Sequence, residues 1–271
     1  MEYVLLVALG LAVGAFGTVI GAGGGFILMP ILLLAYPTQN PDRLTAISLA
    51  MVFFNAASGS FSYGRLKRID YKSGLLFLTM GLPSALAGAW LIRYVPRGGY
   101  NVAFGLLLIA ASAFIFFRPP NESGPRARLS RHFQRVVVDA SGARHEYAYN
   151  LPLGMGISFM VGAASSMLGI GGGIIHVPAM VHLLDFPVHV ATATSHFILA
   201  VMTLAATLVH LTDGSLRGSW PMVVSLSAGA VAGAQLGARL SGRIRGRWIM
   251  RGLALALAIV GARILITAVW R

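Results

Sequence analysis

Gly21-Ala22-Gly23-Gly24-Gly25-Phe26-Ile27-Leu28-Met29-Pro30 returns 148 residues later as Gly169-Ile170-Gly171-Gly172-Gly173-Ile174-Ile175-His176-Val177-Pro178. Both copies lie inside apolar stretches. In a soluble helix each glycine of such a run costs about 1 kcal/mol relative to alanine. Within a bilayer the cost rises, because the freed backbone groups need partners. Two matched helix breaks at membrane depth are what a transporter uses to build a substrate site.

Working outward, the composition decides the class. Hydrophobic residues make up 56% of the 271, charged residues 11%, and the mean hydropathy is +0.76, which excludes a soluble domain. Apolar stretches near the roughly 20 residues that span a bilayer are Met1–Ile20, Leu44–Tyr63, Ser73–Ile92, Tyr100–Phe117, Leu151–Leu168, Ala191–Leu211, Ser219–Leu240 and Ile249–Trp270. The expected fold is an all-α polytopic membrane protein. The net charge of +13 would suggest nucleic acid in a soluble chain. Here the cations lie between spans, as anchors for anionic headgroups, and no nucleic-acid partner is expected. The chain has no cysteine, which excludes disulfides, thiolate metal sites and cysteine nucleophiles. Met1-Glu2-Tyr3 lacks a basic n-region, so the first span is expected to be retained.

The two halves read alike: an apolar span, the glycine break, a short apolar segment, then three ordinary spans. Gly21 aligns with Gly169, Pro30 with Pro178, Ser48 with Ser195, Gly88 with Gly237 and Gly105 with Gly252. This sets a first repeat over 1–117, a linker over 118–150 and a second repeat over 151–271. Loop charges bear on their relative orientation. If each broken segment crosses once, the halves run parallel and the cations divide 12 against 8. If each enters and returns, the halves are inverted and the division is 15 against 5. The second reading fits better. It puts the linker in the cytoplasm and both termini outside the plasma membrane of a prokaryote. In the linker, Arg118-Pro119-Pro120-Asn121 ends a span, and Glu122–Arg131 is polar and expected to be flexible. Val136–Asp139, a turn over Ala140–Ala143, and Arg144–Tyr149 form an expected β-hairpin. A covered connector is the plain reading of this element; regulation or partner docking is the functional one.

Where a helix restarts, its first N–H groups lack helical partners and its dipole is positive, so an anion is held there without a buried cation. The half-helices restarting near Phe26 and Ile174 would face each other near the midplane. The competing reading is that the glycines only permit close helix packing. Neither copy continues as a nucleotide-binding loop. Candidate substrate-binding residues are Gly23, Gly24, Gly25, Gly171, Gly172 and Gly173. The polar starts of the following spans add Ser48, Asn55, Thr194 and Ser195, whose side chains can donate to an oxyanion. His176 and His196 could pair with an anion or carry a proton. The Ser and Thr hydroxyls could instead bond helix backbone, and either histidine could be a satisfied structural residue. All eight carboxylates fall at span ends or in loops, which disfavours a carboxylate proton relay. No hydrolase constellation is visible, no cofactor is expected, and the chain reads as a non-enzyme. A negative interior drives a monovalent anion outward by about 2.3 kcal/mol per 100 mV, so a simple facilitator suffices for export.

Gly-x-Gly-Gly-Gly followed by Pro, then Pro187-x-x-x-Ala191-Thr192-x-Thr194-Ser195-His196, resembles the sulfite exporter TauE/SafE family of membrane permeases. The resemblance covers nearly the whole chain, and the second copy is the closer match. It implies transport of a small sulfur-containing anion such as sulfite, sulfoacetate, another sulfonate or a thiosulfate-like species. The first copy departs from the second, with Leu28 in place of His176 and Leu49 in place of His196, so a site would be asymmetric. Two other readings stand beside this one: a transition-metal permease using His176, His182, His189, His196 and His210, and a scaffold whose linker binds a partner. A coupling ion, proton or sodium, and a homo-oligomer are left open.

Overall fold

The computed structural model describes residues 2–117, 133–241 and 246–269. The Glu122–Arg131 stretch expected to be flexible lies outside them. Ten α-helices and one hairpin are described: α1 Glu2–Ile20, α2 Gly25–Ala35, α3 Pro41–Arg65, α4 Tyr71–Leu91, α5 Arg97–Phe117, β1 Phe133–Val138, β2 Arg144–Tyr149, α6 Leu151–Leu168, α7 Gly173–Leu183, α8 Val188–Thr212, α9 Trp220–Ser241 and α10 Gly246–Val269. Seven are long and apolar enough to cross a membrane: α1, α3, α4, α5, α6, α8 and α9. The eighth expected span falls on α10, whose described apolar part is Ala254–Ile266.

The short helices after the breaks, α2 and α7, turn back on their predecessors. Tyr3 and Leu6 of α1 line one cavity with Tyr36 and Gln39, which follow α2. At the other end, Phe186 beyond α7 packs on Tyr147 and Tyr149, the strand that leads into α6. Each half therefore opens with a helical hairpin, and the two hairpins return to different ends of the bundle.

The helix pairing crosses between the halves, α1 against α9 and α6 against α4. Glycine permits it. A Cβ at Gly229, Gly233 or Gly237 of α9 would lie 2.0, 2.2 or 2.4 Å from a carbonyl oxygen of α1. A Cβ at Gly88 of α4 would lie 2.2 Å from that of Ala163 on α6. Without a hydrophobic drive between helices in lipid, such close approach supplies the association. Glycines outside the breaks thus serve close helix packing too.

The linker hairpin forms as expected, with β1 beginning three residues earlier, at Phe133. Asp139 holds its turn, accepting from the N–H of Ser141 (2.9 Å) and Ala143 (3.0 Å) and from the Ser141 hydroxyl (2.5 Å). The Ser141 hydrogen bond foremost lowers the Asp139 pKa to about 2. The hairpin docks on Asp70, the N-cap of α4, which accepts from Arg135 Nη2 (2.6 Å), the Tyr147 hydroxyl (2.6 Å), and the Ser73 hydroxyl and N–H. Burial works against the charge of Asp70, and these donors outweigh it, holding its pKa below the usual carboxylate value.

Candidate functional site

The sequence repeat is a conformational repeat. Gly21, Gly23 and Gly24 have φ of 86°, 73° and 82°, and their counterparts Gly169, Gly171 and Gly172 have 71°, 80° and 93°. This left-handed backbone is ready for glycine and costs other residues about 1–2 kcal/mol. It turns the chain sharply enough for α2 and α7 to start at Gly25 and Gly173, capped by Gly24 and Gly172.

The two breaks meet. A Cβ on Gly25 would lie 2.9 Å from the carbonyl oxygens of Gly169 and Ile170, and one on Gly173 would lie 2.2 Å from that of Gly21. The start of each half-helix thus lies against carbonyl oxygens of the opposite break. The hydroxyls reciprocate: Ser48 donates to Gly169 C=O (2.6 Å) and Ser195 to Gly21 C=O (3.1 Å). Val52 and Leu199, one turn beyond those serines, close the junction against Gly23 and Gly171. Every residue of both breaks is buried.

Asn55 belongs to the same junction. Its Nδ2 donates to Gly23 C=O (3.1 Å), and its Oδ1 accepts from the Thr18 hydroxyl (3.3 Å). That hydroxyl also lies 3.2 Å from His196 Nε2, and the His196 ring stands edge-on to Tyr63. His196 is therefore one residue removed from the first break, through Thr18. Thr194 faces elsewhere, accepting the backbone N–H of Asp70 (2.9 Å) at the linker end. His176 pairs with Ser158 of α6 (2.8 Å) beside Phe77. The structure thus brings together the six glycines, Ser48, Asn55 and Ser195, with His196 adjoining, and holds Thr194 and His176 apart from them.

Sequence reasoning missed Thr18, Val52, Leu199 and Tyr100, whose hydroxyl donates to Leu168 C=O (2.6 Å). Val52 and Leu199 had a signal, since they follow Ser48 and Ser195 by four residues and share their helix face. The histidines disperse: His182 stands edge-on to Phe114 and His210 lies 3.3 Å from Asp42. No group of three metal-ligating side chains forms among the described residues.

A bundle of membrane-crossing helices, with two broken helices meeting at its centre, defines a polytopic membrane transporter. Comparison narrows the class. The sequence profile of the sulfite exporter TauE/SafE family matches residues 6–264, and the chain belongs to that family. It is 33% identical to the probable membrane transporter protein YunE of Bacillus subtilis over 236 residues, 85% of each chain. It is 25% identical to the probable membrane transporter protein MJ0441 of Methanocaldococcus jannaschii, over 77% of this chain and 72% of that one. A probable membrane transporter protein of Xylella fastidiosa is 22% identical over 78% and 74%. No solved structure matches.

Proposed function

We propose that this transporter exports a small sulfur-containing oxyanion, sulfite or an organosulfonate, which it binds where the two breaks meet. The observation that carries the reading is reciprocal: a serine from each half donates to a carbonyl oxygen of the opposite break, and each half-helix start lies against such carbonyls. The two serines already hold oxygen acceptors in a buried site. An oxyanion exchanges one oxygen acceptor for another, and gains from the dipole ends because it carries full charge. Parting of the two breaks frees Gly25, Gly173, Ser48 and Ser195 together, with Asn55 and His196 at the edge. Thr194 and His176 support this site indirectly, at the linker end and on α6.

The hairpins returning to different ends support inverted halves, as the loop charges do, with the linker cytoplasmic and the termini outside. The membrane potential then drives export of a monovalent anion.

A ligand-stabilisation screen of the purified protein tests the substrate class. Sulfite, sulfoacetate and taurine-like sulfonates should raise the melting temperature in a concentration-dependent way, as any ligand of the native state does. Stabilisation by divalent metals with none from sulfur oxyanions would reverse the assignment.

A further inference from the structure

At the end away from the linker, a cavity of about 190 Å³ opens between the starts of α1, α3 and α9. Arg43, in the first turn of α3, lines it with Gln39, Tyr3 and Ser219, and Ile47 lies one turn further along α3. The Arg43 guanidinium donates from Nε to Ser219 Oγ (2.8 Å), from Nη1 to Gln39 Oε1 (3.4 Å) and from Nη2 to Arg217 C=O (3.2 Å). All three acceptors are neutral. The neighbouring carboxylate, Asp42, is engaged by the Ser215 hydroxyl (2.6 Å) and His210. Among the described residues Arg43 therefore has no carboxylate partner, and it brings its charge to a cavity of mixed polar and apolar lining. Two helix N-termini, those of α3 and α9, add to it. Ser48, which holds Gly169 of the second break, lies five residues beyond Arg43 on the same helix, about 7.5 Å of helix rise.

The corresponding place in the other half is built differently. Asp70 caps α4 as Ser219 precedes α9, and Val190 of α8 stands where Arg43 does in α3, by the register that aligns Ser48 with Ser195. Beside Asp70 lie Tyr147 and Tyr149, packed on Phe186, and Arg135 neutralises the carboxylate. The place beside α4 is filled and its carboxylate is paired with Arg135, whereas the place beside α9 is open and lined by Arg43.

We infer that the Arg43 cavity is a second oxyanion site, a vestibule in which Arg43 and Ser219 hold a sulfite or sulfonate group next to the path along α3 to the breaks. It rests on the reading of the protein as an oxyanion transporter. The ligand chemistry is a small oxyanion of sulfur, or the phosphate of a lipid headgroup.

Phenylglyoxal modification of Arg43, followed by peptide mass spectrometry on the unaltered protein in neutral detergent, tests the site without a variant. Sulfoacetate should slow modification of Arg43 and leave Arg65, which lies over Phe61 at the linker end, unaffected; chloride at equal ionic strength should not slow modification of Arg43. Protection by phosphatidylglycerol alone, or by neither anion nor lipid, overturns the vestibule. In proteoliposomes, loss of one charge-assisted contact should raise the half-saturating sulfoacetate concentration about tenfold in Arg43→Gln, with maximal flux retained and Arg43→Lys intermediate. Half-saturation unchanged in Arg43→Gln, in a protein whose flux Ser195→Ala abolishes, removes the vestibule and keeps the central site. Anion protection of Arg43 in a protein that moves no sulfur oxyanion keeps the vestibule and removes the transport reading.

Discussion

Gly173 bears a constraint that backbone conformation alone does not express. Its φ is ordinary for a helix start, yet a Cβ there would lie 2.2 Å from the Gly21 carbonyl oxygen and 2.6 Å from Ala22 Cα. Backbone has to move to admit a methyl group, so Gly173→Ala should abolish oxyanion flux with the protein still in the membrane. Gly98→Ala, where nothing lies within 4 Å, should transport normally; equal loss in both variants would show that glycine flexibility in general, not contact between the breaks, is what matters. Ser48 and Ser195 make a paired prediction. Alanine at either leaves a buried carbonyl of the opposite break without its donor, costing about 1–3 kcal/mol, read as a lower melting temperature in detergent. The serines were legible as donors, because each follows its break at matching distance. Their present acceptors were not, being carbonyls 121 and 174 residues away. Thr194 illustrates the limit: it neighbours Ser195 in sequence, yet one step along a helix turns a side chain by about 100°, and it reaches Asp70 instead.

The hairpin β1–β2 is a docked element rather than a free connector, and its attachment is ionic. Its turn and second strand were readable from Asp139, Gly142 and the alternation that follows. The start of β1 was not, because Gln134 and Arg135 look like the end of a polar linker; Arg135 joins the strand while its side chain serves Asp70 across 65 residues. Asp70→Ala should therefore release the hairpin, read as faster amide hydrogen exchange over 133–149 with α3 and α8 unchanged. Unchanged exchange would mean that the aromatic packing on Phe186 suffices. The pH dependence has a definite sign. Asp70 and Asp139 both have depressed pKa values when folded. Their contribution is complete above the ordinary carboxylate pKa and is lost as pH falls, for Asp139 between about pH 4 and pH 2. Exchange protection of the Ser141 and Ala143 amides should be flat from neutrality to about pH 5 and collapse below about pH 4.

Across the chain, the membrane class, seven of the eight expected spans and the doubled break were legible, since each rests on long-range hydropathy or close repetition. The interleaving of the halves was not, because α1–α9 and α4–α6 contacts depend on which glycines face one another. It follows that the halves are not two separable blocks. Sidedness is open to a direct test, since the chain has no cysteine to remove. Gly98→Cys and Ser141→Cys should react with membrane-impermeant maleimide from opposite faces, the first from outside and the second from the cytoplasm; labelling of both from one face would contradict the inverted arrangement. The central claim is that a sulfur oxyanion binds between the two breaks. Flux of labelled sulfite and sulfoacetate from proteoliposomes under an inside-negative potential tests it most directly. The account predicts saturable efflux by the unaltered protein and its loss in Ser48→Ala/Ser195→Ala with the protein still folded and inserted; efflux at the unaltered rate in that double variant would contradict it.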